Sequence, residues 1–197
     1  MSAAREEILR RVRAAKGRAP TASAHAYRTT GTRDAAGRDA LLRERLVDYR
    51  ARVERDLGSV LDELGAASRI GVPTGLPAEW RPANSVEDDG LSAQELDALD
   101  GVVTGCTVAI AETGTIVLTG GPAEGRRALT LVPDLHVCIV RADQIVEIVP
   151  EAFATLRGLE RRPLTFVSGP SATSDIELKR VEGVHGPRRL VVVMLEA

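Results

Sequence analysis

The stretch His136-Val137-Cys138-Ile139-Val140 decides the fold class, because it is short, apolar and rich in β-branched residues. Such a run predicts a strand that is buried on both faces, as in a parallel sheet. Other short apolar runs are separated by glycine, proline and polar residues: Ile70 to Val72, Val108 to Ala111, Thr115 to Leu118, Leu164 to Val167 and Leu190 to Leu195. Helical patterns alternate with these runs, so the sequence predicts an α/β fold with a mostly parallel sheet.

The N-terminal part of the chain has a different texture. Apolar residues recur at helical spacing over residues 3–16 and predict a short amphipathic helix. Residues 18–37 offer little to bury and predict a linker or mobile segment. From Leu42 to Leu64, apolar residues step by three and four, which predicts a helix packed on the sheet. The predicted organisation is an N-terminal helix and linker, residues 1–37, and an α/β domain, residues 38–197.

Composition limits the classes of protein that the chain can belong to. Its 197 residues, 44% of them apolar, suffice for one domain with a good core. No apolar run approaches the roughly 18 residues of a membrane span. The N-terminus lacks the apolar centre of a signal peptide, so a cytoplasmic location is expected. The two cysteines, Cys106 and Cys138, are too few for a disulfide framework or for an iron–sulfur cluster, which normally takes four thiolates.

Charge is distributed unevenly along the chain. Residues 1–55 carry 14 basic and 7 acidic side chains, whereas the remainder carries 12 basic and 21 acidic side chains. A basic arm on an acidic body can contact nucleic acid or a neighbouring subunit. The basic residues are interleaved with acids and lack flanking aromatics, which disfavours nucleic acid. A solvated or subunit-facing arm is expected, and a homo-oligomer stays open.

The loop Ala111-Glu112-Thr113-Gly114-Thr115 is the first candidate for chemistry. Gly114 permits a backbone geometry that other residues avoid and allows a ligand to approach closely. Because apolar residues flank Glu112, its carboxylate is a candidate base or nucleophile. An ordinary hairpin turn with an exposed glutamate explains the same residues equally well. The functional interpretation makes Glu112 catalytic and makes Thr113, Gly114 and Thr115 ligand-binding.

The second candidate loop begins at Ser168-Gly169-Pro170-Ser171, where an apolar run stops. We expect a strand that ends there and leads into a helix, whose free N–H groups can hold an anion. The capping-box pattern from Ser174 to Glu177 explains a helix start without any ligand. The hydroxyls exceed what one cap needs, which favours a binding site formed by these residues: Ser168, Gly169, Ser171, Thr173 and Asp175.

His185 lies between Gly183 and Gly186 in a glycine-bounded loop before the last apolar run. An accessible histidine there is a candidate general base, although a loop-stabilising histidine is an equal alternative. The histidines and cysteines show no metal-ligand spacing, so no metal site is predicted. A Ser–His–Asp triad is disfavoured because the nucleophile-elbow pattern is absent.

Four motifs in order along the chain resemble the LUD-domain family and its lactate-utilisation protein C branch. They are Ile110 to Thr115, Leu129 to Val137, Ser168 to Glu177 and Gly183 to Pro187. The resemblance covers roughly residues 40–197. It implies a three-layer α/β sandwich similar to the sugar-phosphate isomerase and CoA-transferase superfamily.

The resemblance also implies a role in oxidising L-lactate to pyruvate beside two iron–sulfur partner proteins, which would hold the clusters that this chain lacks. We therefore expect a subunit that binds a small anionic ligand where the two loops converge, with Glu112 or His185 moving a proton. Two alternatives are a stand-alone enzyme for a sugar phosphate or an acyl-CoA thioester, and a non-catalytic scaffold that docks partners through the basic arm. Whether the chain is itself catalytic stays open.

Overall fold

The structure, a computed structural model, describes residues 3–15, 26–65, 68–159, 161–170, 172–173, 181–182 and 186–196. The helices of the described part are α1 (Ala3–Ala15), α2 (Ala35–Asp48), α3 (Leu57–Leu64), α4 (Ala93–Asp97) and α5 (Val149–Thr155). Its strands are β1 (Arg52–Glu54), β2 (Ile70–Pro73), β3 (Ser85–Asp88), β4 (Gly101–Thr104), β5 (Val108–Ile110), β6 (Thr115–Leu118), β7 (Leu135–Arg141), β8 (Ile145–Val146), β9 (Thr165–Val167), β10 (Ala172–Thr173), β11 (Val181–Glu182) and β12 (Arg189–Leu195).

The main sheet of the described residues has six strands in the order β1-β12-β7-β4-β2-β3. Every neighbouring pair in it is parallel. Strand β7 lies near its centre, and its residues from Leu135 to Val140 are all buried. The predicted α/β class with a mostly parallel sheet is therefore confirmed.

A second sheet, with the order β8-β5-β6-β9, lies beside the first. Strands β5 and β6 form an antiparallel hairpin, and β9 pairs antiparallel with β6. Strand β8 pairs parallel with β5. The sequence predicts β5 and β6 as strands, but it does not predict that they leave the main sheet.

Alternate residues of β7 and β12 fill two different cores, because side chains alternate across a strand. On one face, Val137 and Val193 pack with Val60 of α3. On the other face, Val140 and Val192 pack with α2 and with the inner side of the second sheet. The outer side of the second sheet packs on α5 through a smaller cluster. The main sheet is thus covered on both faces.

The helix predicted from Leu42 to Leu64 is interrupted, which corrects the sequence analysis. Helix α2 ends at Asp48, and Arg50 then adopts a left-handed conformation with a φ of 67°. Val53 belongs to β1, where it pairs with Val192 and is buried. The apolar stripe continues across this break because the helices and the strand all bury residues against the same sheet.

The part of the predicted mobile segment that the structure describes, residues 26–37, differs from the prediction. The backbone N–H of Gly31 donates to Glu151, and those of Thr32 and Arg33 donate to Glu147, over 2.8, 2.6 and 2.5 Å. Helix α2 begins directly afterwards, at Ala35. Composition does not indicate this docking, because the donors are backbone groups that almost any residue type supplies.

Within the described residues, no helix combines the length and the apolar character needed to cross a bilayer.

Candidate functional site

The first candidate loop is the turn of the β5–β6 hairpin. Gly114 adopts a φ of 59°, which an L-residue with a side chain disfavours. The Glu112 side chain is 49% exposed, and its carboxylate accepts a hydrogen bond from Arg28 Nη2 at 2.5 Å. The expectation that the Glu112 side chain lies among apolar residues is therefore wrong. The structure matches the alternative, a hairpin turn with an exposed glutamate, whose carboxylate pairs with an arginine.

The second candidate loop meets the first through hydroxyl groups. Ser168 follows β9, and β9 pairs with β6, so Ser168 lies beside the start of β6. The Oγ atoms of Ser168 and Thr115 are 2.8 Å apart. Thr113 Oγ1 donates to Thr115 Oγ1, also over 2.8 Å. The structure thus brings together Thr113 and Thr115 of one loop and Ser168 of the other.

The structure does not describe the side chains of four of the predicted site residues. Ser171, Asp175 and His185 lie outside the described residues. Thr173 is described only through its backbone, which pairs with Val181 in the two-stranded β10–β11 ladder. A strand, and not a helix, therefore follows Ser168 to Pro170 after one intervening residue. The predicted capping-box residues, Ser174 to Glu177, lie outside the described residues.

The two glycines have a structural reason to be glycine. A Cβ atom built on Gly114 would lie 2.7 Å from Arg45 Cβ. A Cβ atom on Gly169, whose φ is 84°, would lie 2.6 Å from Tyr49 Cβ and 2.7 Å from the Tyr49 carbonyl oxygen. Both loops therefore press against the C-terminal end of α2. The close approach that the sequence analysis assigned to a ligand is made by this helix.

The position of the loops in the fold also differs from the prediction. We expected them at the carboxyl ends of the main-sheet strands, where ligands of open α/β sheets usually bind. Gly169 instead contacts Tyr49, just before β1 begins. Pro170 lines a cavity of about 570 Å³ together with Arg52 and Arg189, the first residues of β1 and β12. The loops lie near amino ends of main-sheet strands, because they belong to the second sheet.

A cluster of charged side chains beside Glu112 was missed at the sequence level. Glu147 is 5% exposed at its side chain, and Arg28 Nη1 lies 3.7 Å from its Oε1 atom. Arg28 thus lies between Glu112 and Glu147. Burial raises the pKa of Glu151, and backbone N–H groups, that of Gly31 first, lower it, leaving the pKa below its ordinary value. The sequence feature that could have indicated this cluster is the pair Glu147 and Glu151, which lie four residues apart on either side of Pro150.

Two further buried polar groups lie outside the predicted loops. Glu124 is buried, and its carboxylate accepts from Thr107 Oγ1 and from the Thr119 N–H, both at 2.5 Å. His136 is also buried, and its Nε2 lies 2.8 Å from Thr104 Oγ1. Burial, with a contribution from Arg127, lowers the pKa of His136 to about 4, so the ring is neutral at pH 7.

The two cysteines are buried and free. The contact with Cys138 and burial both raise the pKa of the Cys106 thiol, so its thiolate is disfavoured. Among the side chains that the structure describes, no three His, Cys, Asp or Glu residues are grouped closely enough to hold a metal ion.

Comparison with known proteins places this geometry in a family. Residues 61–195 match the LUD domain. Lactate utilization protein C of Deinococcus radiodurans is 52% identical over 143 residues, which are 70% of this chain and 68% of that protein. The uncharacterized protein YkgG of Escherichia coli is 34% identical over 142 residues, which are 69% of this chain and 59% of that protein.

A solved structure supports the same assignment. The crystal structure of a DUF162 family protein from Deinococcus radiodurans superposes with a TM-score of 0.72 and 39% sequence identity. The superposition covers 83% of this chain and 99% of that one. With most of its α/β domain matched in both sequence and structure, the chain belongs to the LUD domain family.

Proposed function

We propose that this chain is a subunit of an L-lactate utilisation system that oxidises lactate to pyruvate. The observation that carries the proposal is its 52% identity, over 143 residues, to a protein named Lactate utilization protein C. A second relative with that name, from Halalkalibacterium halodurans, is 28% identical over 161 residues. Both relatives are named for lactate utilisation.

Electron transfer in this proposal takes place in two iron–sulfur partner proteins. The chain contains two cysteines, whereas a cluster normally takes four thiolates. Both cysteines are also buried in the core. The donor set of this chain therefore does not fit a cluster of its own. Its part in the reaction would be to bind and position a small molecule.

The small anionic ligand of this proposal would bind beside the joined loops. Ser168 is exposed and ends the hydroxyl chain that starts at Thr113, so its O–H can turn to a ligand oxygen. Arg28 is half exposed beside Glu112 and offers a guanidinium to a carboxylate. Glu112 could then exchange a proton with the ligand once Arg28 turns from it. His185 remains a second candidate for that proton transfer.

Growth of a strain that lacks the gene tests the role in lactate utilisation. We expect no growth on L-lactate, normal growth on pyruvate, and rescue by the wild-type gene. Glu112→Gln and Ser168→Ala should fail to rescue, because they remove the proton-transfer group and the exposed hydroxyl. Thr155→Ala, at an exposed hydroxyl of α5, is the matched control and should rescue. Normal growth of the deletion strain on lactate would refute the assignment.

Purification of the native protein tests the partners. We expect iron–sulfur proteins to co-purify and to give visible absorbance that the isolated chain lacks. A colourless, isolated chain that turns over substrate would support a stand-alone enzyme instead.

A further inference from the structure

A cavity of about 300 Å³ lies between the loop that follows β6 and the residues that precede β9. Arg126, Arg127 and Arg162 line it. The loop is held at the end of β4, where the N–H of Gly105 donates to the carbonyl of Ala123 over 2.8 Å. The cavity therefore adjoins the carboxyl ends of main-sheet strands, the usual place for ligands in open α/β sheets. Neither candidate loop of the sequence analysis reaches it.

Arg126 has a fixed position and a neutralised charge. Its Nε and Nη2 each donate to the carboxylate of Asp88 over 2.8 Å, at the end of β3. Nη2 also donates to the carbonyl of Leu91. None of these bonds uses Nη1, and Arg126 lines the cavity.

Arg127 and Arg162 differ from Arg126 in having no acidic partner among the described residues. The guanidinium of Arg127 donates to the hydroxyl of Thr130 over 3.3 Å, a long contact with a neutral acceptor. Burial of part of the Arg127 side chain lowers its pKa. Two arginines on one cavity wall therefore present positive charge that no ion pair among the described residues neutralises.

Glu124 also lines the cavity, and its carboxylate oxygens are occupied by donors other than these arginines. Its oxygens accept from Thr107, Thr119 and the N–H of Gly121, the last over 3.0 Å. No ion pair joins it to an arginine in the part of the chain that the structure describes. With Arg126 balanced by Asp88, the two remaining arginines outweigh one carboxylate, so the cavity carries net positive charge.

We propose that this cavity binds a small oxyanion, a carboxylate or phosphate group, held by Arg127 and Arg162 and by Nη1 of Arg126. Planar guanidinium groups present paired donors that match the oxygens of either group. The volume suits a molecule of a few heavy atoms. The site is separate from the Thr115–Ser168 contact, so it does not rest on the ligand position proposed above.

Binding to the purified full-length chain tests the site. Titration calorimetry with inorganic phosphate and with sodium L-lactate, against sodium chloride at equal ionic strength, separates the two sources of oxyanion. We expect one of them to bind and chloride to give no saturable signal. Arg127→Gln and Arg162→Gln should each raise the dissociation constant at least about tenfold, because each removes a charged hydrogen bond. Arg43→Gln, an exposed arginine of α2 outside the cavity, should leave it unchanged.

The outcomes separate clearly. A phosphate response alone identifies a phosphate group as the ligand chemistry, and a lactate response alone identifies a carboxylate. The proposal is overturned if neither anion binds beyond chloride, or if both cavity variants bind as tightly as Arg43→Gln. Should Arg127→Gln fail to fold, Arg162→Gln decides, since its side chain is exposed. Lactate growth is not measured here, so this site and the role in lactate utilisation can fail independently.

Discussion

His136 shows what burial does to one titratable residue at the centre of the main sheet. Its ring is 2% exposed and has a hydroxyl partner, Thr104, but no carboxylate partner among the described residues. The nearby charge of Arg127 further disfavours protonation. The histidine therefore acts as a neutral core residue, unlike His185, for which the sequence predicts an accessible position.

We predict that this residue makes the protein less stable in mild acid. The pKa of His136 is about 4 in the folded state and 6.5 at its ordinary value. Below pH 6.5 the unfolded chain takes up a proton that the folded chain does not, so stability falls until about pH 4. The free energy of unfolding should drop by about 2 kcal/mol between pH 7 and pH 5.

Urea denaturation at the two pH values, on the wild type and on His136→Gln, measures this effect. The variant has lost the titrating ring and should show a drop smaller by about that amount. Equal drops in the two proteins would contradict the prediction, whatever the absolute stability of the variant.

At the scale of elements, the end of α2 organises both candidate loops. Gly114 and Gly169 pack against Arg45 and Tyr49, and the Thr115–Ser168 contact joins the loops to each other. The glycines let two turns of the second sheet approach a helix that covers the main sheet. This packing couples the Ser168 hydroxyl to the position of α2.

We predict that Gly169→Ala destabilises the protein by about 4 kcal/mol, from backbone strain at positive φ and from overlap with Tyr49. Gly65→Ala is the control, because Gly65 also has a positive φ of 74° but no described residue lies within 4 Å of an added Cβ. The control should cost about 2 kcal/mol, from strain alone. Chemical denaturation measures both, and equal losses would show that the contact with α2 does not matter.

The sequence predicts the elements better than it predicts their partners. A buried strand can be predicted from the run Val137 to Val140, because a continuous apolar run is a local property of the sequence. The hairpin around Glu112 and the strand before Ser168 are local too, and their convergence follows from the pairing of β6 with β9. The Arg28–Glu112 pair joins residues far apart in the chain, and no local pattern marks it. The adjacent Arg126 and Arg127, directly after Gly125, are a local feature of the sequence that is compatible with an anion site.

At the scale of the whole molecule, the N-terminal region divides into two parts with different roles. Helix α1 exposes its apolar side chains, with Ile8 61% and Val12 51% exposed. Residues 31–33 instead donate backbone N–H groups to Glu147 and Glu151, which lie more than 100 residues later in the chain. Docking of this short segment satisfies carboxylates that the α/β domain holds close to its core.

We predict that removing residues 1–25 changes the free energy of unfolding by less than about 0.5 kcal/mol, because α1 buries little. Removing residues 1–33 should cost about 3 kcal/mol, since the Glu147 carboxylate loses its charged and hydrogen-bonded partners. Both truncations keep Asp34, which caps α2 by accepting from the N–H of Gly37. Thermal and urea denaturation of the two truncated chains measure the difference. Similar stabilities would mean that the segment from residue 26 to residue 33 contributes nothing.

The pairing of β1 with β12 has a consequence for biosynthesis. Among the described strands, β1 has one neighbour in the sheet, and that neighbour follows every other described element along the chain. At ribosomal speeds, β1 therefore waits on the order of ten seconds for its partner to be made. During that interval the apolar sides of α2 and α3 have no completed sheet to cover. The nascent chain is then open to aggregation and to capture by chaperones until β12 has been made and can pair with β1.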